Sequence, residues 1–240
     1  MNISPITDAM RKVLPLGYCG AVIVAAGNAS RMGGIDKVMA ELDGEPMIVR
    51  TVRAFQEAIA IKEIVIVTRQ DLIEPIGQLT AGFDKVKAVV CGGSSRQESV
   101  EKGLDALSKE CKLAAIQDGA RPLISQAVID RTVRAAHTYS AAAPAIPVKD
   151  TIKVVNGGIV DHTPDRATLR AIQTPQVFDY QLLRAALKKA RIEELAVTDD
   201  CSAVELMGMS VKIVEGDERN IKVTTPMDLM IAKLLLEEEK

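Results

Sequence analysis

The sequence lacks the means for several common chemistries. Its four cysteines (Cys19, Cys91, Cys111, Cys201) lie far apart, no Cys-x-x-Cys occurs, and there are only two histidines, so a zinc site is not expected. Scattered cysteines suit a reducing cytoplasm better than a disulfide framework. No apolar run approaches the roughly 20 residues of a membrane span. The segment 1–17 carries acid and has no signal-peptide h-region, so it reads as an N-terminal extension of a soluble, cytoplasmic protein. An excess of one charge is missing too: 30 Lys and Arg face 32 Asp and Glu, for a net −2, which argues against a nucleic-acid footprint. Neither the Walker loop nor the Gly-x-Gly-x-x-Gly dinucleotide fingerprint is present.

What is present is a different kind of phosphate loop. The apolar run Ala21-Val22-Ile23-Val24 reads as a buried parallel strand. It leads into Ala25-Ala26-Gly27-Asn28-Ala29-Ser30-Arg31-Met32-Gly33-Gly34-Ile35-Asp36-Lys37. Small residues let the backbone pass close to a ligand with amides free to face an anion. Arg31 and Lys37 add fixed positive charge, as a planar fork and a compact point charge respectively. Such a loop suits a polyphosphate; the plain alternative is a glycine-rich turn with solvated cations.

Short apolar runs then alternate with helix-length amphipathic segments. Strands are expected at Ile64–Val67, Val86–Val90, Leu113–Ile116 and Ala142–Val148, and helices over 46–60, Val100–Leu107 and Gln126–Tyr139. This alternation predicts an α/β fold: one doubly wound, mostly parallel, Rossmann-like sheet over 18–240, covered on both faces. In such sheets ligands bind at the carboxyl ends of the strands. The polar clusters Gly92 to Ser99 and Gln117 to Pro122 fall at those ends. One segment breaks the alternation. The β-prone runs 150–155 and 159–161 flank Asn156-Gly157-Gly158, a strong hairpin signal. A lone hairpin is marginal in water, so its apolar side chains need a surface, either the body of their own domain or, the preferred reading, a second subunit. The projecting arm is expected over about 150–172.

Several candidates have two readings. Asp118, ending a buried strand, could hold a ribose hydroxyl or a magnesium ion near phosphates, or could simply form the turn before Gly119. Ser94, Ser95 and Ser99 could contact a nucleoside or cap a helix, and Thr198-Asp199-Asp200 could act directly or as an N-cap. Arg121-Pro122 more naturally shapes a turn, and His162 is expected to be exposed on the hairpin.

Taken together, the loop with its Ala-Ala-Gly-x-x-x-Arg-Met-Gly pattern, Gly92-Gly93 through Arg96 to Ser99, Asp118-Gly119-Ala120-Arg121-Pro122, 148–153, Pro164-Asp165-Arg166, Gln173-Thr174-Pro175-Gln176, Thr198-Asp199-Asp200 and Asn220-Ile221-Lys222-Val223-Thr224 resemble the 2-C-methyl-D-erythritol 4-phosphate cytidylyltransferases. The likeness runs from about Gly20 to Leu236. It implies transfer of a cytidylyl group from CTP to a polyol phosphate, with pyrophosphate released and a divalent cation, Mg2+, assisting. It implies that Arg31 and Lys37 stabilise the pentacoordinate phosphorus. Ala25, Ala26, Gly27, Gly92, Ser99 and Asp118 would hold the nucleotide, with Asp118 also a candidate metal ligand. Thr151, Arg166 and Lys222 would orient the acceptor phosphate, Thr151 and Arg166 across a homodimer from the arm. The family often has Gln after the lysine; here Val38-Met39 follows Lys37. Ribitol 5-phosphate is the alternative acceptor, and a nucleotide-binding module without turnover the non-enzymatic alternative.

Overall fold

The computed structural model of the chain describes residues 17–27 and 38–238. The elements are β1 (Cys19–Ala25), β2 (Glu41–Leu42), β3 (Glu45–Pro46), α1 (Met47–Glu57), β4 (Ile61–Thr68), α2 (Ile73–Thr80), β5 (Val86–Cys91), α3 (Arg96–Ala106), β6 (Leu113–Asp118), α4 (Gln126–Tyr139) and β7 (Ala141–Pro147). They continue with β8 (Val154–Asn156), β9 (Ile159–His162), β10 (Arg170–Ile172), β11 (Gln176–Asp179), α5 (Tyr180–Ile192), α6 (Asp200–Glu205), β12 (Lys212–Glu215) and α7 (Pro226–Glu237).

β1 is central because it is apolar on both faces. Ala21, Ile23 and Ala25 point into one core with Ile48, Val52 and Phe55 of α1 and Val128, Ile129 and Val133 of α4. Val22 points the other way, onto Val100 and Leu104 of α3 and Leu183 and Leu187 of α5. The two-residue period of a strand turns one continuous apolar run into two cores. Gly103 lets α3 approach closely: a Cβ there would lie 2.3 Å from Val22 Cγ1 and 2.8 Å from Val67 Cγ2.

The sheet runs β10-β7-β11-β6-β1-β4-β5, with β12 also on β7. β4, β1, β6 and β5 form the parallel half. The other half is mixed: β11 enters antiparallel between β6 and β7, β10 lies antiparallel on β7, and β12 lies parallel to it. The alternation in the sequence therefore gives the fold class but not the strand order: β7 is separated from β6 by β11, a strand from later in the chain.

β8 and β9 pair only with each other, and every residue from 151 to 160 is exposed. The hairpin turns through Gly157 and Gly158, both at positive φ (56° and 83°), as the Asn-Gly-Gly sequence requires. It is an arm, and Ile159 is 76% exposed on it. A small third cluster seats α7, with Ala232 and Leu236 against Leu42, Met47 and Val223. Among the described residues no helix is long and apolar enough to cross a membrane.

Candidate functional site

A cleft of about 510 Å3 opens at the carboxyl ends of β1, β4, β5 and β6. One wall is the start of the phosphate loop, Ala25, Ala26 and Gly27. The opposite wall is Gly92 to Ser99, and Asp118 and Lys222 also line it. Arg31 and Lys37 lie outside the described residues.

The Gly92 wall is fixed by short-range hydrogen bonds. Ser95 caps α3, its side chain accepting from Glu98 N at 3.1 Å, which realises the capping reading of this serine pair. The Glu98 carboxylate accepts from the Ser94 amide and hydroxyl at 2.7 and 2.8 Å. These donors, the amide first and then the hydroxyl, with Lys102 adding to them, hold the carboxyl down at about 2. Ser99 is buried, and its hydroxyl accepts from Gly93 N at 3.0 Å while donating to Ser95 O at 2.8 Å. Its first job is thus to shape the loop. Gly92 lies against the opposite wall: a Cβ would sit 2.5 Å from Ala26 Cβ and 2.8 Å from Ser99 Oγ. A side chain at position 92 would therefore collide with the other wall at Ala26.

Asp118 is the electrostatic centre. Lys222 Nζ lies 2.8 Å from Oδ2, Arg121 Nε 3.7 Å from the same oxygen, and Arg96 3.8 Å from Oδ1. Burial alone would raise its pKa, but Lys222 and Arg96, joined by Arg121, outweigh burial and hold the carboxyl below its ordinary value. The backbone amide of Asp118 donates to Thr174 Oγ1 at 3.1 Å. Asn220, fully buried, donates from Nδ2 to Thr174 O at 2.9 Å, while its own carbonyl accepts from Arg121 at 2.6 Å. Lys222 and Asp118 are therefore braced through one polar network. The turn role expected of Arg121 holds, since Arg121 N donates to Asp118 O at 3.1 Å, and its guanidinium is an added strut.

Arg96 is the cation that sequence reasoning quoted but gave no role. It donates to Asp200 at 2.7 Å, and Asp200 is 1% exposed. Burial disfavours the guanidinium charge, but Asp200 first, then Asp118 and Asp199, more than offset that and keep Arg96 ionised. Asp199 supplies the expected N-cap of α6 as a capping box with Ser202. Gln176 holds this turn, donating to Asp199 Oδ2 at 2.7 Å and accepting from the amides of Asp200 and Cys201.

Thr151 and Arg166 stand apart from this constellation. Both are exposed at the arm, neither lines the cleft, and Arg166 donates to Lys149 O at 2.9 Å. His162 is exposed on the hairpin as expected, its Nδ1 2.7 Å from Asp161 Oδ2. Among the described residues no group of three or more His, Cys, Asp or Glu could hold a metal ion.

An α/β sheet whose strand-end loops present amides and cations around one carboxylate can seat a nucleotide and its phosphates, as a nucleotidyltransferase requires. The profile of the 2-C-methyl-D-erythritol 4-phosphate cytidylyltransferases matches residues 19–238. Proteins of that name from Caldanaerobacter subterraneus subsp. tengcongensis and Geobacillus kaustophilus are each 45% identical, over 90% of this chain and 97% and 96% of theirs. The crystal structure of 4-diphosphocytidyl-2C-methyl-D-erythritol synthase from Anaerococcus prevotii superposes with a TM-score of 0.85 at 31% identity, covering 96% of this chain and all of that one. The Thermus thermophilus cytidylyltransferase gives 0.75 at 31%, covering 90% and 98%. The chain belongs to the 2-C-methyl-D-erythritol 4-phosphate cytidylyltransferase family.

Proposed function

We propose that this chain transfers the cytidylyl group of CTP to 2-C-methyl-D-erythritol 4-phosphate, releasing pyrophosphate, in the synthesis of isoprenoid precursors. The observation that carries this reading is the cleft itself: amide-rich walls at Gly27 and Gly92 on either side of a carboxylate ringed by cations. An oxygen of the acceptor phosphate attacks the α-phosphorus of CTP. The new P–O bond forms as the bond to the β,γ-pyrophosphate breaks, and pyrophosphate leaves with the electron pair. Because the nucleophile is already an anion, the work is alignment and charge neutralisation.

Ala25, Ala26, Gly27, Gly92 and Ser99 hold the nucleoside, and the role assigned to Arg31 and Lys37 is to stabilise the pentacoordinate phosphorus. Lys222, side chain 43% exposed beside Asp118, is available to an acceptor phosphate at the cleft. Asp118 offers one hard carboxylate of the kind that takes Mg2+ when phosphate oxygens and waters complete the shell. When bound, the ion would neutralise triphosphate charge. The working form is a cytoplasmic homodimer in which the arm carries Thr151 and Arg166 to the partner's cleft. Their separation from their own cleft supports that reading.

Incubation with CTP, Mg2+ and a panel of polyol phosphates, following pyrophosphate release, tests the reaction; turnover with ribitol 5-phosphate in preference to the methylerythritol ester would overturn the acceptor assignment. For the shared site, Lys37→Ala and Arg166→Ala proteins are mixed under conditions of subunit exchange. If half the dimers are mixed, about a quarter of wild-type activity returns by two-fold symmetry. No recovery despite verified exchange refutes a shared site.

A further inference from the structure

Lys222, 2.8 Å from Asp118, is carried by a stretch of chain that apolar packing holds only on one side. Before it comes β12, whose Lys212, Ile213 and Glu215 are all exposed. Between β12 and Lys222 the chain makes a tight turn over 217–220, in which Asn220 N donates to Asp217 O at 3.0 Å and Arg219 N to Asp217 Oδ1 at 2.8 Å. After Lys222 the chain is pinned again, since Val223 is fully buried and its amide donates to Ala120 O at 2.8 Å. The lysine hangs between these two anchors, so the place of its backbone depends on what fixes the turn.

The turn is fixed by Gln173, 4% exposed and the first residue after β10. Its Nε2 donates to Asp217 O at 2.7 Å, and its Oε1 accepts from Asp217 N at 3.1 Å. The same amide reaches Asn220, with Oε1 3.4 Å from Nδ2 and Nε2 3.5 Å from the backbone oxygen. Both donors and both acceptor positions of the side-chain amide are thus engaged. The reversed amide would set N–H against N–H and oxygen against oxygen, so only one orientation fits. Gln173 is itself tied to β7, its backbone N donating to Pro144 O at 2.8 Å. Among the described residues β10 and β12 each pair with β7 alone, and this side chain joins the chain where both strands end. Gly216 leaves it room: a Cβ there would lie 2.6 Å from Gln173 Oε1.

We propose that Gln173 is the positioning residue of the acceptor clamp: its side-chain amide sets the turn 217–220 and so places Lys222 for the phosphate of the acceptor. The proposal rests on the reading of Lys222 given above. Gln173 does not line the cleft, so it reaches the acceptor through the lysine. Without the amide, Asp217 loses a partner for both its backbone groups and the turn is free to shift. A misplacement of about 1 Å at a binding group can cost up to about 100-fold. A route through Asn220 and Thr174 to Asp118 would weaken CTP instead, which makes the two routes separable.

The test is steady-state kinetics of the full chain with CTP, Mg2+ and 2-C-methyl-D-erythritol 4-phosphate, following pyrophosphate release, for Gln173→Met, Lys222→Ala and the double variant. Methionine keeps the length of the side chain and none of its hydrogen bonds. Gln173→Met should raise the Michaelis constant for the polyol phosphate about fivefold or more and leave that for CTP within about twofold. In the Lys222→Ala background the same change should add less than about twofold, because it acts through the lysine. Ile61→Val, a core defect at the end of β4 away from the cleft, should lower the melting temperature and leave both constants unchanged. If Gln173→Met does not fold, Gly216→Ala replaces it, since its methyl group displaces the same amide. An unchanged acceptor constant, equal rises for both substrates, or effects that multiply with Lys222→Ala would overturn the positioning role. A Lys222→Ala protein with a normal acceptor constant would overturn the clamp itself.

Discussion

Replacing Gly92 by alanine adds one methyl group where the two walls of the cleft meet, at Ala26 and Ser99. Its Cβ would lie 2.5 Å from Ala26 Cβ and 2.8 Å from Ser99 Oγ, roughly 1 Å inside the distance at which carbon atoms attract. Neither neighbour is the free end of a flexible chain: Ala26 has no rotamer to change, and the Ser99 hydroxyl is held by Gly93 N and Ser95 O. The walls must therefore move apart, and overpacking of this kind costs about 1–3 kcal/mol. If the strain falls on the bound geometry, CTP affinity drops by about 5–150-fold; if it falls on the fold, the melting temperature drops by about 2–12 °C for a chain of this size. Calorimetric titration with CTP and thermal denaturation separate the two. Ala26→Gly in the same chain removes the closest clash and should restore part of the loss. Gly77→Ala is the control, since nothing lies within 4 Å of its added methyl and α2 gains a better helix former. A Gly92→Ala protein with wild-type CTP affinity and stability would refute this reading of the walls.

Arg31→Ala and Lys37→Ala should each lower turnover about 100–1,000-fold with much smaller effects on substrate binding; near-normal steady-state turnover in both would contradict their roles. Lys222→Ala should raise the Michaelis constant for the polyol phosphate more than that for CTP, and an equal effect on both would count against the acceptor clamp. The same change removes the strongest cation beside Asp118. The lowered pKa of Asp118 gives stability that is present above the ordinary carboxylate range and lost as pH falls through the folded value, so in Lys222→Ala acid melts should show that loss at higher pH. Asp200→Asn weakens the charged hydrogen bond to Arg96, which should cost about 1.5–3 kcal/mol; a melting temperature unchanged by differential scanning calorimetry would show that this pair contributes nothing.

Much of the parallel half of the fold was legible because its strands are buried on both faces and so appear as unbroken apolar runs. Val65, Ile66 and Val67 of β4 could hardly be anything else. β11 and β12 were not legible, each having four residues and β12 a 40% exposed Ile213. The loops of the site were legible through residue types that a phosphate ligand needs. Its braces were not: Thr174 meets Asp118 across 56 residues and Asp200 meets Arg96 across 104, contacts that exist only once the sheet is assembled. The role of Asp199 as a cap could be read locally, whereas the role of Asp200 next to it depends on a partner from another element.

The insertion of β11 between β6 and β7 also bears on how the chain is made. Gln176 pairs with Ile116, so the open edge of β6 waits for a strand that emerges sixty residues later. At ribosomal rates of about 5–20 residues per second, that edge stays unpaired for roughly 3–12 s. Throughout that interval the nascent chain presents the hydrogen-bonding edge of an apolar strand, Leu113–Asp118, to any neighbouring polypeptide. Ribosomes stalled before residue 176 should therefore yield nascent chains that recruit chaperones or aggregate, whereas chains extended past residue 179 have the strand that closes the edge.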